Sequence, residues 1–233
     1  MLALLAKEES EIPRVVAGDV GGAFGAKGFV HREDVALGAA ALQLGRSVKW
    51  IEDRNEHLAV GGHAREESVD IEVAVLTDGT ILGMKVHMTM DTGAYPGYPF
   101  GPSFIAQMMR VLFPGPYRVP AMRFDTTLVA SNKGTYVAYR GPWAVETWVR
   151  ERMLDIISKE LRLTRAEIRL KNMIGPEELP SAMVTGPALD VRMSAKRTLE
   201  EALRIIDFDA WEQVQHAARA EGRVLGLGFS TYI

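Results

Sequence analysis

Between Val69 and Met90 the apolar side chains fall on every second residue in two successive runs, and Asp78-Gly79 separates the runs. In the first, Val69, Ile71, Val73 and Val75 enclose Asp70 and Glu72; in the second, Leu82, Met84, Val86, Met88 and Met90 share one face and Lys85, His87, Thr89 and Asp91 the other. A period of two places alternate side chains on opposite faces of a strand. Asp-Gly supplies the positive φ that a tight hairpin turn requires. The pattern therefore predicts a hairpin, and a hairpin cannot belong to a purely parallel sheet. The fold class expected is α+β, with mixed or antiparallel sheets covered by helices.

The rest of the chain supplies the helices and some further strands. A short strand over Pro13 to Ala17, a glycine-rich turn from Gly18 to Gly28 and a helix from His31 to Leu44 with Gly45 as its C-terminal stop are followed by a strand over Ser47 to Asp53. Gly93 to Pro120 is rich in Gly, Pro and Tyr and holds one short helix at Ser103 to Val111. Ala121 to Ala130 reads as a strand. From Trp143 the positions Val145, Trp148, Val149, Met153, Ile156 and Ile157 follow helical spacing. Thr164 and Glu167 form a capping-box signature for a second helix ending near Met173. Ala195 to Ile206 and Asp209 to Ala220 suggest two more helices, and Leu225 to Ile233 a last strand.

Composition limits the chemistry. The chain has 233 residues, 27 basic and 30 acidic side chains and a formal net charge of -3. The charges are scattered without long like-sign blocks, so there is no electrostatic footprint for nucleic acid. Cysteine is absent, which excludes disulfides, thiolate metal sites, a cysteine nucleophile and cysteine-bound iron-sulfur clusters within these residues. Any metal must be held by other ligands or by a cofactor. Met1 to Ala6 is apolar but runs directly into Lys7-Glu8-Glu9, which is too short for a signal peptide's hydrophobic region and reads as a helix end. No apolar run approaches the roughly 20 residues that span a bilayer. The expected location is the cytoplasm.

The segment Gly18-Asp19-Val20-Gly21-Gly22-Ala23-Phe24-Gly25-Ala26-Lys27-Gly28 packs five glycines into what reads as a strand-to-helix connection. Such a turn lets backbone N–H groups approach an anion or oxo group without obstruction. It is not a P-loop, because Gly28 rather than Ser or Thr follows Lys27, and it lacks G-x-G-x-x-G spacing. Both common nucleotide readings therefore fail. Two readings stay open for the turn: a ligand cradle, or a tight bend whose glycines serve backbone geometry alone.

Gly21-Gly22-Ala23-Phe24-Gly25-Ala26-Lys27 resembles the G-G-x-F-G-x-K loop of the molybdopterin-binding large subunits of the xanthine dehydrogenase, aldehyde oxidase and carbon monoxide dehydrogenase family. Further segments match that family in order and at compatible spacing: Glu52 to Leu58, Gly62-His63-Ala64-Arg65, Gly93-Ala94-Tyr95, Gly115 to Pro120, Ala138-Tyr139-Arg140-Gly141 and Ile168 to Met173. Each is weak alone, but the ordered set is specific and covers nearly the whole chain.

The resemblance implies an internal cofactor-binding segment. Residues 1–180 correspond to the first molybdopterin-binding region and 181–233 to the start of the following helical and strand segment. It implies a molybdenum-molybdopterin cofactor, in its cytosine dinucleotide form, contacted by Gly21, Gly22, Ala23, Phe24, Gly25 and Arg140, with the Phe24 and Gly25 amides on an oxo ligand. Arg140 would stabilise charge near the metal; the alternative for it is a surface or structural salt bridge. The implied reaction oxidises an aldehyde or heterocycle with water-derived oxygen. The general-base glutamate and much of the pterin surface fall beyond Ile233, and [2Fe-2S] and FAD sit on partner subunits or domains. The segment is accordingly expected to be inactive alone.

Some positions depart from the family. No cysteine follows Arg140, which disfavours the copper-containing carbon monoxide dehydrogenase activity. Gly28, Met108 and Pro142 stand where purine-oxidising members carry glutamate, arginine and phenylalanine, so the partners that clamp a purine are missing. Pro142-Trp143 also departs from the glycine-containing stretch usual after the arginine. A different class of function, a degenerate cofactor domain that docks subunits without chemistry, is the alternative.

Overall fold

The structure is a computed structural model that describes residues 14–95 and 97–233. The helix end read over Met1 to Ala6, and Pro13, lie outside the described residues. Among them, α1 is Arg32–Leu44, α2 Arg54–Val60, β1 Glu67–Val75, β2 Ile81–Asp91, α3 Pro102–Leu112, β3 Met122–Val129, α4 Ala144–Leu161 and α5 Arg165–Asn172. The short strands β4 (Ser181–Ala182) and β5 (Ala188–Leu189) follow, then α6 (Ala195–Ile205) and α7 (Phe208–Ala220).

The hairpin forms, with its turn over Thr77, Asp78 and Gly79 rather than over Asp78-Gly79 alone, since the Leu76 amide donates to Thr80 and the Gly79 amide to Leu76; β1, β2 and β3 make one sheet in that order. The Met84 amide donates to Ala121 at 3.0 Å and the Thr92 amide to Val129 at 2.8 Å. Chain direction is thus the same in β2 and β3, with α3 as the crossover between them. The sheet is mixed, as the α+β expectation allowed. Met84, Val86, Met88 and Met90 point inward, but Leu82 does not: it is exposed, and Ile81 is buried instead. The reason lies at the start of the strand, where the Ile81 amide donates to Asn172 Oδ1 at 2.9 Å, while Asn172 Nδ2 donates to the carbonyls of Gly79 and Ile168. Those bonds dock the hairpin turn onto α5.

Local signals account for the helix ends. Gly45 closes α1 in the left-handed conformation. The Thr164–Glu167 capping box closes as predicted, with Glu167 N donating to Thr164 Oγ1 at 3.1 Å and Thr164 N to Glu167 Oε2 at 2.6 Å. Asp53 and Glu56 form a second capping box, opening a helix that the apolar pattern did not announce.

Three expected strands do not form. Residues 14–17, 47–53 and 225–233 carry no regular structure. A strand exists only as a partner in a ladder, and among the described residues none presents an edge to these segments. Val15 and Ile51 are 72% and 74% exposed.

The chain folds as two compact units, each assembled from discontinuous stretches. The first comprises the described residues up to Ser68 with Thr89–Ala106 and Thr127–Pro142. Its buried side chains include Phe29, Met90, Ile105, Tyr136 and Val137. The second comprises Val69–Met88, Gln107–Thr126 and Trp143–Ile233, with a core of Ile81, Met84, Val86, Phe113, Tyr117, Leu154, Ile157 and Ile168. The helical spacing over α4 named Val149 and Ile157 correctly, but Trp148 and Ile156 are exposed.

In place of Trp148 and Ile156, α4 buries charge. Glu146, Arg150 and Glu151 are buried with Arg169 of α5. Arg150 Nη1 donates to Glu146 Oε2 at 2.5 Å and to the Phe113 carbonyl at 2.8 Å. Arg169 donates to Glu151 at 2.8 Å and Asp155 at 2.9 Å, and the Tyr117 hydroxyl donates to Glu151 at 2.9 Å. Nearly every charge is thereby matched, which is the condition for holding ions in a core. The Arg150 Nε has only Glu151 Oε1 nearby, at 3.5 Å, without hydrogen-bond geometry.

Candidate cofactor site

The glycine-rich turn, the 62–65 segment and the 138–141 loop meet in the first unit. At the turn, Phe24 and Gly25 both adopt positive φ, 50° and 109°, before a single 3-10 turn over Ala26–Gly28. Among the described residues no strand precedes it, a correction to the strand-to-helix connection read from sequence. The Ala26 amide closes on Ala23 at 3.2 Å and the Gly28 amide on Gly25 at 3.0 Å. Neither the Phe24 nor the Gly25 amide enters a ladder. Gly21, Gly22, Ala23 and Phe24 are exposed, and Gly25 is half-buried.

Gly25 is required by contact as well as by conformation. A Cβ there would lie 2.1 Å from the Ala138 carbonyl oxygen. The Arg140 amide donates to the Phe24 carbonyl at 2.6 Å, and the Phe24 and Tyr139 rings stack with centroids 6.4 Å apart. Arg140 and the turn therefore adjoin, as expected for one site. The Arg140 side chain is exposed, and among the described residues no carboxylate pairs with it.

The 138–141 loop is held from its other side. His63 N donates to the Thr135 carbonyl and Val137 N to the His63 carbonyl, each at 3.0 Å, in a short parallel bridge. Gly62 permits this approach, since a Cβ on it would meet a Val137 methyl at 2.4 Å. Arg65 then reaches along the loop: its Nη2 donates to the carbonyls of Tyr139, Arg140 and Gly141 at 3.2, 2.9 and 3.2 Å. Just beyond it, the buried Tyr136 hydroxyl donates to Glu67 Oε1 at 3.1 Å. Burial pushes the Glu67 carboxyl above its ordinary value, against the opposing pull of the Tyr136 hydrogen bond and the positive charges of Arg65 and Lys133.

Ala23, Phe24, His57, His63, Arg65 and Tyr139 help to line a cavity of about 430 Å³. His57 Nδ1 is 2.9 Å from Glu52 Oε2. Sequence reasoning singled out the turn and Arg140 but assigned no role to His57, Arg65 or Glu67. The motif Gly62-His63-Ala64-Arg65 was the one signal pointing to Arg65. Of the positions tied to purine oxidation, Gly28 ends the 3-10 turn, exposed, and Pro142 is buried at the end of the loop. Met108 is half-buried on α3 in the second unit.

Comparison with known proteins bears on this arrangement. The molybdopterin cofactor-binding domain family matches residues 1–173. The gamma subunit of the 6-hydroxypseudooxynicotine dehydrogenase complex of Paenarthrobacter nicotinovorans is 36% identical over 221 residues, which cover 90% of this chain and 27% of that protein. The carbon monoxide dehydrogenase large chain of Hydrogenophaga pseudoflava is 34% identical over 230 residues, 96% of this chain and 28% of that one. Among solved structures, quinoline 2-oxidoreductase from Pseudomonas putida 86 superposes with a TM-score of 0.85 at 32% identity, over 92% of this chain and 27% of its own. The chain thus spans little more than a quarter of these relatives. With a family match across most of its length and the same fold in a solved relative, this chain belongs to the molybdopterin cofactor-binding domain family.

Proposed function

We propose that this chain is the first molybdopterin-binding region, over residues 1–180, and the start of the next segment, over 181–233, of the large subunit of a molybdenum hydroxylase. The observation that carries the reading is the turn itself: the amides of Phe24 and Gly25 lie outside any ladder, beside an arginine that has no carboxylate partner among the described residues. The residues fit an anionic, oxygen-rich group. Gly21 and Ala23 bring no bulky side chain to the turn, while the Phe24 ring lies over Gly22; the two amides offer donors, and Arg140 offers a positive charge on an exposed side chain. Among the described residues no cluster of three or more His, Asp or Glu could ligate a metal, so a metal at this site would rest on the cofactor's own donors.

When bound, the molybdenum-pterin group supplies the two-electron redox change and the route by which water-derived oxygen reaches the substrate. The chain's own part is to bind and orient. The Phe24 and Gly25 amides would hold an oxygen of the cofactor, and Arg140 would balance negative charge beside it. The general base lies on the part of the subunit after Ile233. The cofactor is read as the cytosine dinucleotide form, with [2Fe-2S] and FAD on partner subunits or domains. The complex-subunit and large-chain names of the relatives support a multi-subunit assembly.

The substrate is read as an aldehyde or a simple heterocycle. Gly28, Met108 and Pro142 offer no clamp for a purine, and relatives named nicotine 6-hydroxylase and quinoline 2-oxidoreductase support the heterocycle arm. The test is to assemble the complete large subunit with its partners in a host that makes molybdopterin. Dye reduction is then measured with aldehydes, N-heterocycles, xanthine and carbon monoxide. An aldehyde or N-heterocycle should be the best substrate. Xanthine or carbon monoxide ranking first would overturn the substrate reading, and an assembly without pterin would overturn the cofactor reading.

A further inference from the structure

The 139–141 carbonyls converge on a single nitrogen. Three consecutive backbone carbonyls aimed at one point repel each other unless a cation or donor sits among them, and the Arg65 guanidinium fills that place with charge-assisted hydrogen bonds across 74 to 76 residues of sequence. It also lies over the Tyr139 ring, 5.8 Å from its centroid.

The backbone of Arg65 sharpens the point. Its φ is 69°, in the left-handed region where glycine is at ease and a side-chain-bearing residue is not. Strain of this kind persists when the surroundings enforce it, and here they do. His63 is bridged to 135–137 on one side, and Glu67 accepts from Tyr136 on the other. Between these two anchors the chain must turn sharply, and the turn delivers the Arg65 side chain to the stretch just after Tyr136. A glycine would relieve the backbone but leave the three carbonyls without their donor.

We infer that Arg65 is a positioning residue for the cofactor site: it fixes the 139–141 backbone and, through the Arg140 amide on the Phe24 carbonyl, the direction of the Phe24–Gly25 amides. The consequence for cofactor binding rests on the function proposed above; the positioning itself does not. Arg65 acts on the protein backbone, and Arg140 is the side chain left free for the ligand.

Amide hydrogen exchange on the 233-residue chain tests this, with Arg65→Met keeping the aliphatic stem and Arg65→Lys keeping charge and donors. In R65M, peptides covering 136–142 and 23–26 should exchange about tenfold faster, while those covering 144–172 stay unchanged. R65K should recover most of the protection, since an ammonium also satisfies a ring of carbonyls. Unchanged exchange at 136–142 in R65M would overturn the inference. So would acceleration spread equally through 144–172, or an R65M chain that does not fold accompanied by R65K exchange raised everywhere, because Arg65 would then be a general stabiliser. Pterin released from the complete large subunit, read by its fluorescence, is the separate readout. A loosened loop with unchanged pterin content would leave the role of Arg65 standing and count against the cofactor reading.

Discussion

The Arg140 amide donates to the Phe24 carbonyl at 2.6 Å, so two segments more than a hundred residues apart in sequence share one backbone hydrogen bond. Stacking of Phe24 on Tyr139 and the close approach of Gly25 to Ala138 run along the same seam. The glycine turn is consequently a fixed element, held by the loop that also carries the arginine.

Gly25→Ala should break that seam. With a φ of 109° and the Ala138 oxygen 2.1 Å from where the new methyl would stand, there is no room for a Cβ. A loss of about 2–3 kcal/mol is expected from the strain and the backbone clash together. Gly28→Ala meets nothing within 4 Å and should change stability by less than about 0.5 kcal/mol. Urea unfolding of both variants beside the wild type checks the contrast.

Arg169→Met should be among the most damaging substitutions in the second unit. It leaves the buried Glu151 carboxylate without its 2.8 Å partner and deprives Asp155 of its 2.9 Å one. Removing one member of a buried ion cluster costs about 3–5 kcal/mol. Denaturant midpoints with an unchanged m-value would measure it, and a cost under about 1 kcal/mol would mean that water already reaches the cluster.

Glu67 predicts a pH dependence. Burial raises its folded-state value above the ordinary 4.5, so the folded protein holds this proton more tightly than the unfolded chain does. Its contribution is fully present below the unfolded value and is lost as pH rises through the raised folded value. Many other carboxylates titrate nearby, some shifted downward, such as Asp78 and Glu178, so the reading is a difference. Glu67→Gln, which can still accept from Tyr136, should gain stability relative to wild type as pH climbs from about 4.5 towards 7. Parallel stability curves for the two proteins over that range would show that Glu67 is not desolvated.

The 233-residue chain by itself, made in a host that supplies molybdopterin, should hold far less than one molybdenum per chain and show no dye-reducing activity. It spans 27% of the length of two of its relatives, and the cofactor contacts proposed for it come from one turn and one loop. Elemental analysis and an activity assay on the same sample decide it. Near-stoichiometric metal with turnover would mean that these residues are a complete enzyme.

What could be read from sequence was what neighbouring residues decide. The Asp78-Gly79 hairpin, the Gly45 stop and the Thr164–Glu167 cap depend on φ preferences and on bonds spanning four residues or fewer, and all three stand in the structure. That the glycine turn and the Arg140 loop adjoin was also legible, through resemblance, because ordered motifs survive in sequence. Tertiary structure alone decided the rest. Residues 14–17, 47–53 and 225–233 have strand-like composition, but a strand needs an edge to pair with, and no local pattern shows whether one is present. Ile81 replaced Leu82 in the core because Asn172, 91 residues away, holds the Ile81 amide. The helical spacing named only apolar positions, and the burial of Arg150 and Arg169 follows from the Glu146, Glu151 and Asp155 carboxylates that folding gathers around them. The motif Gly62-His63-Ala64-Arg65 marked Arg65 without a role, which appears only when the chain folds three carbonyls onto its guanidinium, since a contact across 75 residues leaves no periodic trace in sequence.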